Sequence, residues 1–274
     1  MSTFHSYLPH PPLSNFIESF WLSEESIPPH TKERRLPDGS ASLVINLRDD
    51  LMRLYDQRHP EQLHSHRGGI LSGARSEFAL LDTTCLTRVL GVQFKPGGTF
   101  PFLSFPASEL HNDILSLDLI WGAEVFALRE QLQSIATPEG CFQVLERFLL
   151  ARLTRSRTIH PAVTFALKVF EDGTSLPTIS TVTEQIGLGQ TRFIQLFREA
   201  VGLTPKQFCR LLRFQRVLRS VEKSALPSWT DLALTCGYYD QAHFIHDFQA
   251  FSGLTPGAYL TQRSQYRNHI PFSQ

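Results

Sequence analysis

Cysteine is scarce in this chain, and long apolar runs are absent. The four cysteines of its 274 residues, Cys85, Cys141, Cys209 and Cys236, are scattered, with no CxxC and no histidine at metal-ligand spacing. This excludes a disulfide framework and a zinc module. No apolar stretch approaches the roughly 20 residues a membrane helix needs, and the opening MSTFHSYLPHPP lacks a basic start followed by an apolar segment. A cytoplasmic location and no membrane partner are therefore expected. The sequence contains no G-x-S-x-G, no nucleotide-binding glycine loop and no H-E-x-x-H, so no catalytic residue, metal or cofactor is assigned and the chain is not read as an enzyme. Net charge is missing too, with 26 Lys and Arg against 26 Asp and Glu.

That neutrality hides an asymmetry. Residues 1–150 hold 12 basic and 18 acidic side chains, and residues 151–274 hold 14 basic and 8 acidic. A basic half behind an acidic half is the pattern of a nucleic-acid-binding domain joined to a domain with another task. The length exceeds the usual single domain of about 100–200 residues. Twenty-one phenylalanines and 42% hydrophobic residues can fill two cores.

One stretch is written twice. FIQLFREAVGLTPKQF at 193–208 returns as FIHDFQAFSGLTPGAY at 244–259. In each copy the apolar residues fall at helical spacing, a glycine stops the helix, and Thr-Pro starts the next one as N-cap and first-turn residue. Two copies are too few for a solenoid, which needs at least about three units. A short apolar-faced segment and a glycine (Gly187, Gly237) precede each copy, giving helix, tight turn, helix, the motif whose second helix enters the DNA major groove. Val182, Ile186, Phe193, Leu196 and Phe197 form one expected core, and Leu232, Ala233, Phe244, Ile245 and Phe248 the other. Gln190, Thr191, Arg192 and Gln195 then lie on one outer face, and Asp240, Gln241, His243 and His246 on the other. Gln and Arg can read base edges with two hydrogen bonds at once.

The order of short helix, glycine turn, F-I-x-x-F, G-L-T-P, an arginine-bearing helix, then D-L-A-x-x-x-G-Y-x-D-Q-x-H-F and G-L-T-P-x-x-Y resembles the paired helix-turn-helix domain of AraC/XylS-type transcription regulators, over roughly residues 160–260. The resemblance implies two units joined by a linker helix, here Pro205 to about Ser220. It also implies double-stranded DNA as partner, with reading helices in successive major-groove segments on one face. Gly189 stands where such regulators carry Ser, and Gln195 and His246 where they carry Arg. Along the linker, Phe208, Leu211, Leu212, Gln215 and Leu218 make a mostly apolar stripe. Arg210, Arg216 and Arg219 are expected DNA contacts, and Arg213, near the turn between units, is expected to be structural.

The first half reads as β-rich. RRLPDGSASLVINL at 34–47 joins a Pro-Asp-Gly turn to a β-favouring run, and LTRVLGVQFK at 86–95 gives another strand. Pro96-Gly97-Gly98 then breaks the pattern, and helical spacing appears near 99–104, at 123–132 and at 142–153. LPDGSASLVINL, GVQFKPGG and DILSLDLIWG resemble the cupin-like sheet region of one branch of these regulators. His59, His64 and His66 with Glu61 read as an exposed loop rather than a metal site, Cys85 has nothing adjacent to activate it, and Trp21, Phe20 and Phe94 serve a core or an effector pocket. Phe126, Leu128, Leu132, Phe142, Leu145, Phe148 and Leu149 suit a core or a homodimer contact.

The expected fold class is α+β. It comprises a cupin-like N-terminal sensor or regulatory domain over 1–155 with trailing helices, an all-α domain of two helix-turn-helix units over 160–262, and a polar tail over 263–274, with the boundary near Thr154–Pro161. The expected function is a sequence-specific transcription regulator responding to a small-molecule effector, with RNA polymerase a further partner that reading allows. Two alternatives stay open. In one the first half is only an oligomerisation scaffold; in the other the chain is a small-molecule-processing enzyme with a DNA-binding tail.

Overall fold

A computed structural model describes residues 3–24, 30–84, 86–153, 157–172, 177–223 and 228–272. Cys85 and residues 154–156 of the expected boundary lie outside them. The first half supplies strands β1 (Thr3–Tyr7), β2 (Ile17–Glu24), β3 (Lys32–Arg35), β4 (Ser42–Asn46), β5 (Leu51–Tyr55), β6 (Leu63–Arg67), β7 (Gly69–Ser72), β8 (Ala79–Asp82), β9 (Arg88–Phe94) and β10 (Ile114–Ser116). Helices α1 (Leu117–Trp121), α2 (Glu124–Gln133) and α3 (Pro138–Leu153) follow. The second half is α4 (Pro161–Asp172), α5 (Ile179–Ile186), α6 (Gln190–Val201), α7 (Pro205–Lys223), α8 (Trp229–Thr235), α9 (Gln241–Ser252) and α10 (Pro256–Gln262), closed by β11 (His269–Pro271).

The strands form two antiparallel sheets, ordered β1-β2-β9-β4-β7-β10 and β11-β3-β8-β5-β6. Period-two alternation in β4 shows what they enclose. Leu43 and Ile45 point to a core shared with Leu128, Leu132, Phe142, Leu145 and Leu149 of α2 and α3. Val44 points the other way, toward Met52, Leu54 and Ile70. Five of the seven residues offered for a core or a dimer contact are thus core, with Phe126 and Phe148 half-buried. Phe20 and Phe94 are core as well, whereas Trp21 is half-buried and stacks on Phe4 at 6.3 Å.

Three expectations change. The 263–274 segment is not a free polar tail, because β11 pairs antiparallel with β3, Ile270 against Arg34, and Ile270 is fully buried. A three-residue strand in a polar context carries no periodic signal, so its partner decides its structure. The histidine loop is also partly strand: His64 and His66 lie in β6, and His66 Nδ1 sits 3.0 Å from Ser116 Oγ. Among the described residues, no group of three or more His, Cys, Asp or Glu is placed to hold a metal. Finally, the cores do not divide between the halves. Leu36, Ala74, Phe78, Leu80 and Phe100 join the same buried cluster as the phenylalanines of the helical part. Among the described residues, no helix is long and apolar enough to cross a membrane.

Candidate nucleic-acid interface

Each reading helix is started and stopped by its own residues. Before the first, α5 opens on Thr178, whose hydroxyl accepts the Thr181 N–H, and closes on Gly187 in the left-handed region (φ 72°). The reading helix α6 has only Gly189 as N-cap and ends on Gly202 (φ 89°). In the second unit Ser228 caps α8, and Asp240 caps α9 by accepting the His243 N–H at 2.7 Å. Helix α9 ends on Gly253 (φ 68°). An aspartate at a helix N-terminus satisfies an orphan N–H and favours the helix dipole. Asp240, expected among the DNA contacts, is therefore a cap, and its negative charge opposes a phosphate.

The inward faces explain the repeat. Phe193 and Phe197 are fully buried, and Phe197 packs on Phe170 of α4 and Phe208 of α7 with centroids 6.1 and 5.7 Å apart. The matching Phe244 and Phe248 are fully buried too, Phe248 lying 5.2 Å from Phe214 and 5.6 Å from Tyr259. Helix α7 is the shared support, with Phe208, Leu211, Phe214, Val217, Leu218 and Val221 all buried. At its start Thr204 and Gln207 form a reciprocal cap, the Gln207 N–H donating to Thr204 Oγ1 and the Gln207 Oε1 accepting from the Thr204 N–H.

The outward faces carry most of the expected readers. Gln190, Thr191, Arg192 and Gln195 are exposed on α6. Arg192 donates to Gln195 Oε1 at 3.1 Å, and Gln195 in turn donates to Glu199 at 2.9 Å. This exposed chain holds the side chains along one face and can be exchanged for base edges. On α9, Gln241 and His246 are exposed, Gln241 accepting from the Thr230 hydroxyl at 3.1 Å. His243 leans inward, its ring 5.3 Å from Tyr238 and its Nε2 3.7 Å from Asp247. Tyr239, in the turn just ahead of α9, is 87% exposed, an aromatic beside the reading face that residue spacing did not select.

The linker arginines divide differently from the expectation. Arg219 is exposed and Arg216 half-buried. Arg210 grips Asp247 of α9 through Nη2 at 2.6 Å and Nε at 3.2 Å. It ties the linker to the second reading helix, so its guanidinium is occupied and its expected DNA contact is corrected to a structural one. Asp247 is 1% exposed. The signal was present in the sequence: Phe244, Asp247, Phe248 and Phe251 share one stripe at i, i+3, i+4 and i+7, and a carboxylate on a buried stripe requires a partner. Arg213 is structural as expected, its guanidinium 5.5 Å from the Tyr238 ring. Burial pushes the Tyr238 hydroxyl pKa upward and raises that of Cys209 to about 11, which leaves neither group reactive at neutral pH.

Both glycine C-caps face the first half of the chain. A Cβ on Gly202 would lie 3.1 Å from the Ala107 carbonyl oxygen and 3.4 Å from Ala74 Cβ, and one on Gly253 would lie 2.6 Å from Phe78 Cε1. The repeated Gly-Leu-Thr-Pro is thus both a helix stop and the seat of each unit on the β-rich half.

Two stretches of the chain match known domain families. Residues 182–262 match a helix-turn-helix domain family, and residues 5–116 match a domain family of unknown function. The chain is 30% identical over 97 residues to the melibiose operon regulatory protein of Escherichia coli K12, covering 34% of this chain and 31% of that protein. It is 26% identical over 140 residues to an HTH-type transcriptional regulator of Haemophilus influenzae, covering 46% and 43%. The matched stretch thus spans less than half the length of either relative. Among solved structures, a probable AraC family transcriptional regulator from Rhodopseudomonas palustris is 26% identical over 37% of this chain and 96% of that one, with a TM-score of 0.34. ToxT from Vibrio cholerae is 11% identical over 95% and 98%, with a TM-score of 0.47. Both of the sequence relatives are named as regulators. Residues 182–262, with their two helix-turn-helix units on one linker helix, thus match a helix-turn-helix domain family, in keeping with the resemblance of this stretch to the paired domain of AraC-type regulators.

Proposed function

We propose that the protein is a sequence-specific transcription regulator that grips double-stranded DNA with α6 and α9 and whose β-rich half adjusts that grip in response to an effector. The observation that carries the reading is the placement of two equivalent helices on one linker, each presenting polar residues outward at its N-terminal end while its C-terminal end is seated inside the molecule. Arg192, Gln190 and Thr191 are the first unit's readers, and Gln241 and His246 the second's. Arg219 and Arg216 face phosphates. An effector favouring one seating of the helical part would shift the population competent to bind through both units. RNA polymerase and a second copy of the chain remain partners within this reading. The shared core also favours a second reading, in which the β-rich half is only a rigid scaffold.

Selection from random DNA tests the proposal. An enriched site with two informative segments about one helical turn apart is expected. Arg192→Ala and Gln241→Ala should each relax one segment, by about 1–3 kcal/mol of base discrimination. Arg219→Ala should weaken all sequences alike and reduce the log–log salt slope by about 0.9. No enriched motif would overturn the reading.

A further inference from the structure

We propose that a half-open cavity bordered by β4, β7 and β9 and by the loop over residues 36–41 holds a small anionic group, a carboxylate or a phosphate, with Arg75 as its counter-ion. The cavity measures about 30 Å³, whereas one water needs about 10–15 Å³. There is room for a single head group and none for a sugar ring, so the rest of any ligand extends toward the opening. Ser72, Ser42 and Gln93 stand side by side across β7, β4 and β9, paired in register, and all three line the cavity. Two cations and one carboxylate complete the wall. Asp38 is already satisfied, accepting from Arg35 Nη2 at 2.9 Å, from the Ser40 N–H at 3.1 Å and from the Ser40 hydroxyl at 2.6 Å.

Arg75 is the exception. Its side chain is only 14% exposed, its Nε is buried without a hydrogen-bond partner, and its nearest carboxylate, Glu77, is 3.9 Å away and 37% exposed. A guanidinium cannot release its proton to escape burial. Charged groups that are buried are normally paired. Arg35 is matched within the wall by Asp38, whereas the carboxylates that face Arg75, Glu77 and Asp113, lie outside the lining. A buried guanidinium thus keeps an N–H without a partner among the described residues next to serine hydroxyls, an arrangement that suits an anion.

Both lips of the cavity touch the helical part. Ala74, between lining residues Gly73 and Arg75, lies against Gly202 at the end of α6. Gly39, between Asp38 and Ser40, lies against Phe208 and Leu211 of α7, and the Pro37 carbonyl accepts from Gln215 at 2.7 Å. An anion drawing these loops together acts on the seat of the first reader and on the linker. This inference deepens the effector reading proposed above and rests on it only for the link to DNA.

The test uses the full chain without DNA. Its melting temperature is followed against sodium acetate, inorganic phosphate, sodium chloride and acetamide, with ionic strength held constant. Acetate or phosphate should raise the melting temperature beyond chloride while neutral acetamide does not, and the stronger of the two names the head group. Arg75→Gln should weaken that binding at least tenfold, and Arg75→Lys by less. Ser42→Val, which fills the cavity without altering charge, should abolish it and decides the matter if the Arg75 variants do not fold. Equal stabilisation of wild type and Ser42→Val, or none beyond chloride, would mean that the cavity holds only water and would overturn the inference. An enriched DNA motif without anion-specific stabilisation sinks this inference alone. Stabilisation without a motif sinks the DNA-binding reading alone.

Discussion

The two helix-turn-helix units are near copies in sequence but are fastened differently. The first is held through apolar contacts: α6 packs on α4 and α7, and its Gly202 cap abuts Ala74 and Ala107. The second has three fastenings of other kinds. Arg210 clamps Asp247, Gly253 admits Phe78, and the segment beyond α10 runs back to pair β11 with β3. At that pairing Glu33 lies between two histidines, hydrogen-bonded to His269 and 3.1 Å from His30 Nε2, while Arg34 stacks on Phe272 at 4.3 Å. The repeat thus lies in the inward-facing residues, whereas the outer faces and the fastening of the two copies differ. Among the described residues, the second unit is tied by charge and by a strand, and the first by packing.

The largest test of this difference is Asp247→Ala. Removing one member of a buried ion pair ordinarily costs about 3–5 kcal/mol. Arg210 keeps 29% of its side chain exposed, so a cost of roughly 2–3 kcal/mol is expected after allowing for solvent screening. Urea unfolding should report it, together with loss of the second DNA segment before the first. An equal loss of both segments would show that Asp247 does not distinguish the units.

Gly253→Ala comes next, set beside Gly187→Ala. Both glycines have positive φ, which costs a non-glycine residue about 1–2 kcal/mol. Gly187 has open space at its Cβ position, whereas a Cβ at Gly253 meets Phe78 at 2.6 Å. The Gly253 variant should be the less stable of the two by about 1 kcal/mol or more in thermal or urea unfolding. Equal costs would mean that the second unit does not bear on the β-rich half there.

The smallest effect concerns the β11 anchor. Burial alone would raise the pKa of Glu33, but hydrogen bonds and charge from His269 and His30 outweigh it, and the carboxyl lies below its ordinary 4.5. A depressed carboxyl contributes stability above its unfolded pKa, and that contribution disappears as pH falls through its folded value. Glu33→Gln should therefore cost about 1 kcal/mol near neutrality and little in strong acid, flattening the profile below about pH 4.5. A variant whose deficit grows in acid would contradict the sign.

Much of the helical part was legible because its signals are local. Gly187, Gly202 and Gly253 stop helices through their own backbone freedom, and the phenylalanines at helical spacing mark the inward face of each unit. The linker helix extends to Lys223, three residues past its expected end near Ser220. The strands at 42–46 and 88–94 were legible from β-branched runs and the Pro-Asp-Gly turn. Arg210 was not, because an arginine on a helix looks the same whether it faces phosphate or a carboxylate 37 residues away. The capping role of Asp240 was not legible either, because a polar residue at a helix start serves equally as cap or contact. Nothing in residues 269–271 indicates a strand until β3 stands beside them.

The sequence by itself determined two helix-turn-helix units, their inner and outer faces and the glycines that end them, since each follows from residues within a few positions of one another. Only the tertiary structure decided which arginine is bound to Asp247, that β11 closes a sheet begun more than two hundred residues earlier, and that the buried Arg75 keeps an Nε without a hydrogen-bond partner among the described residues. Those outcomes depend on which distant side chains meet, and the free energy of such a meeting is written in neither segment alone.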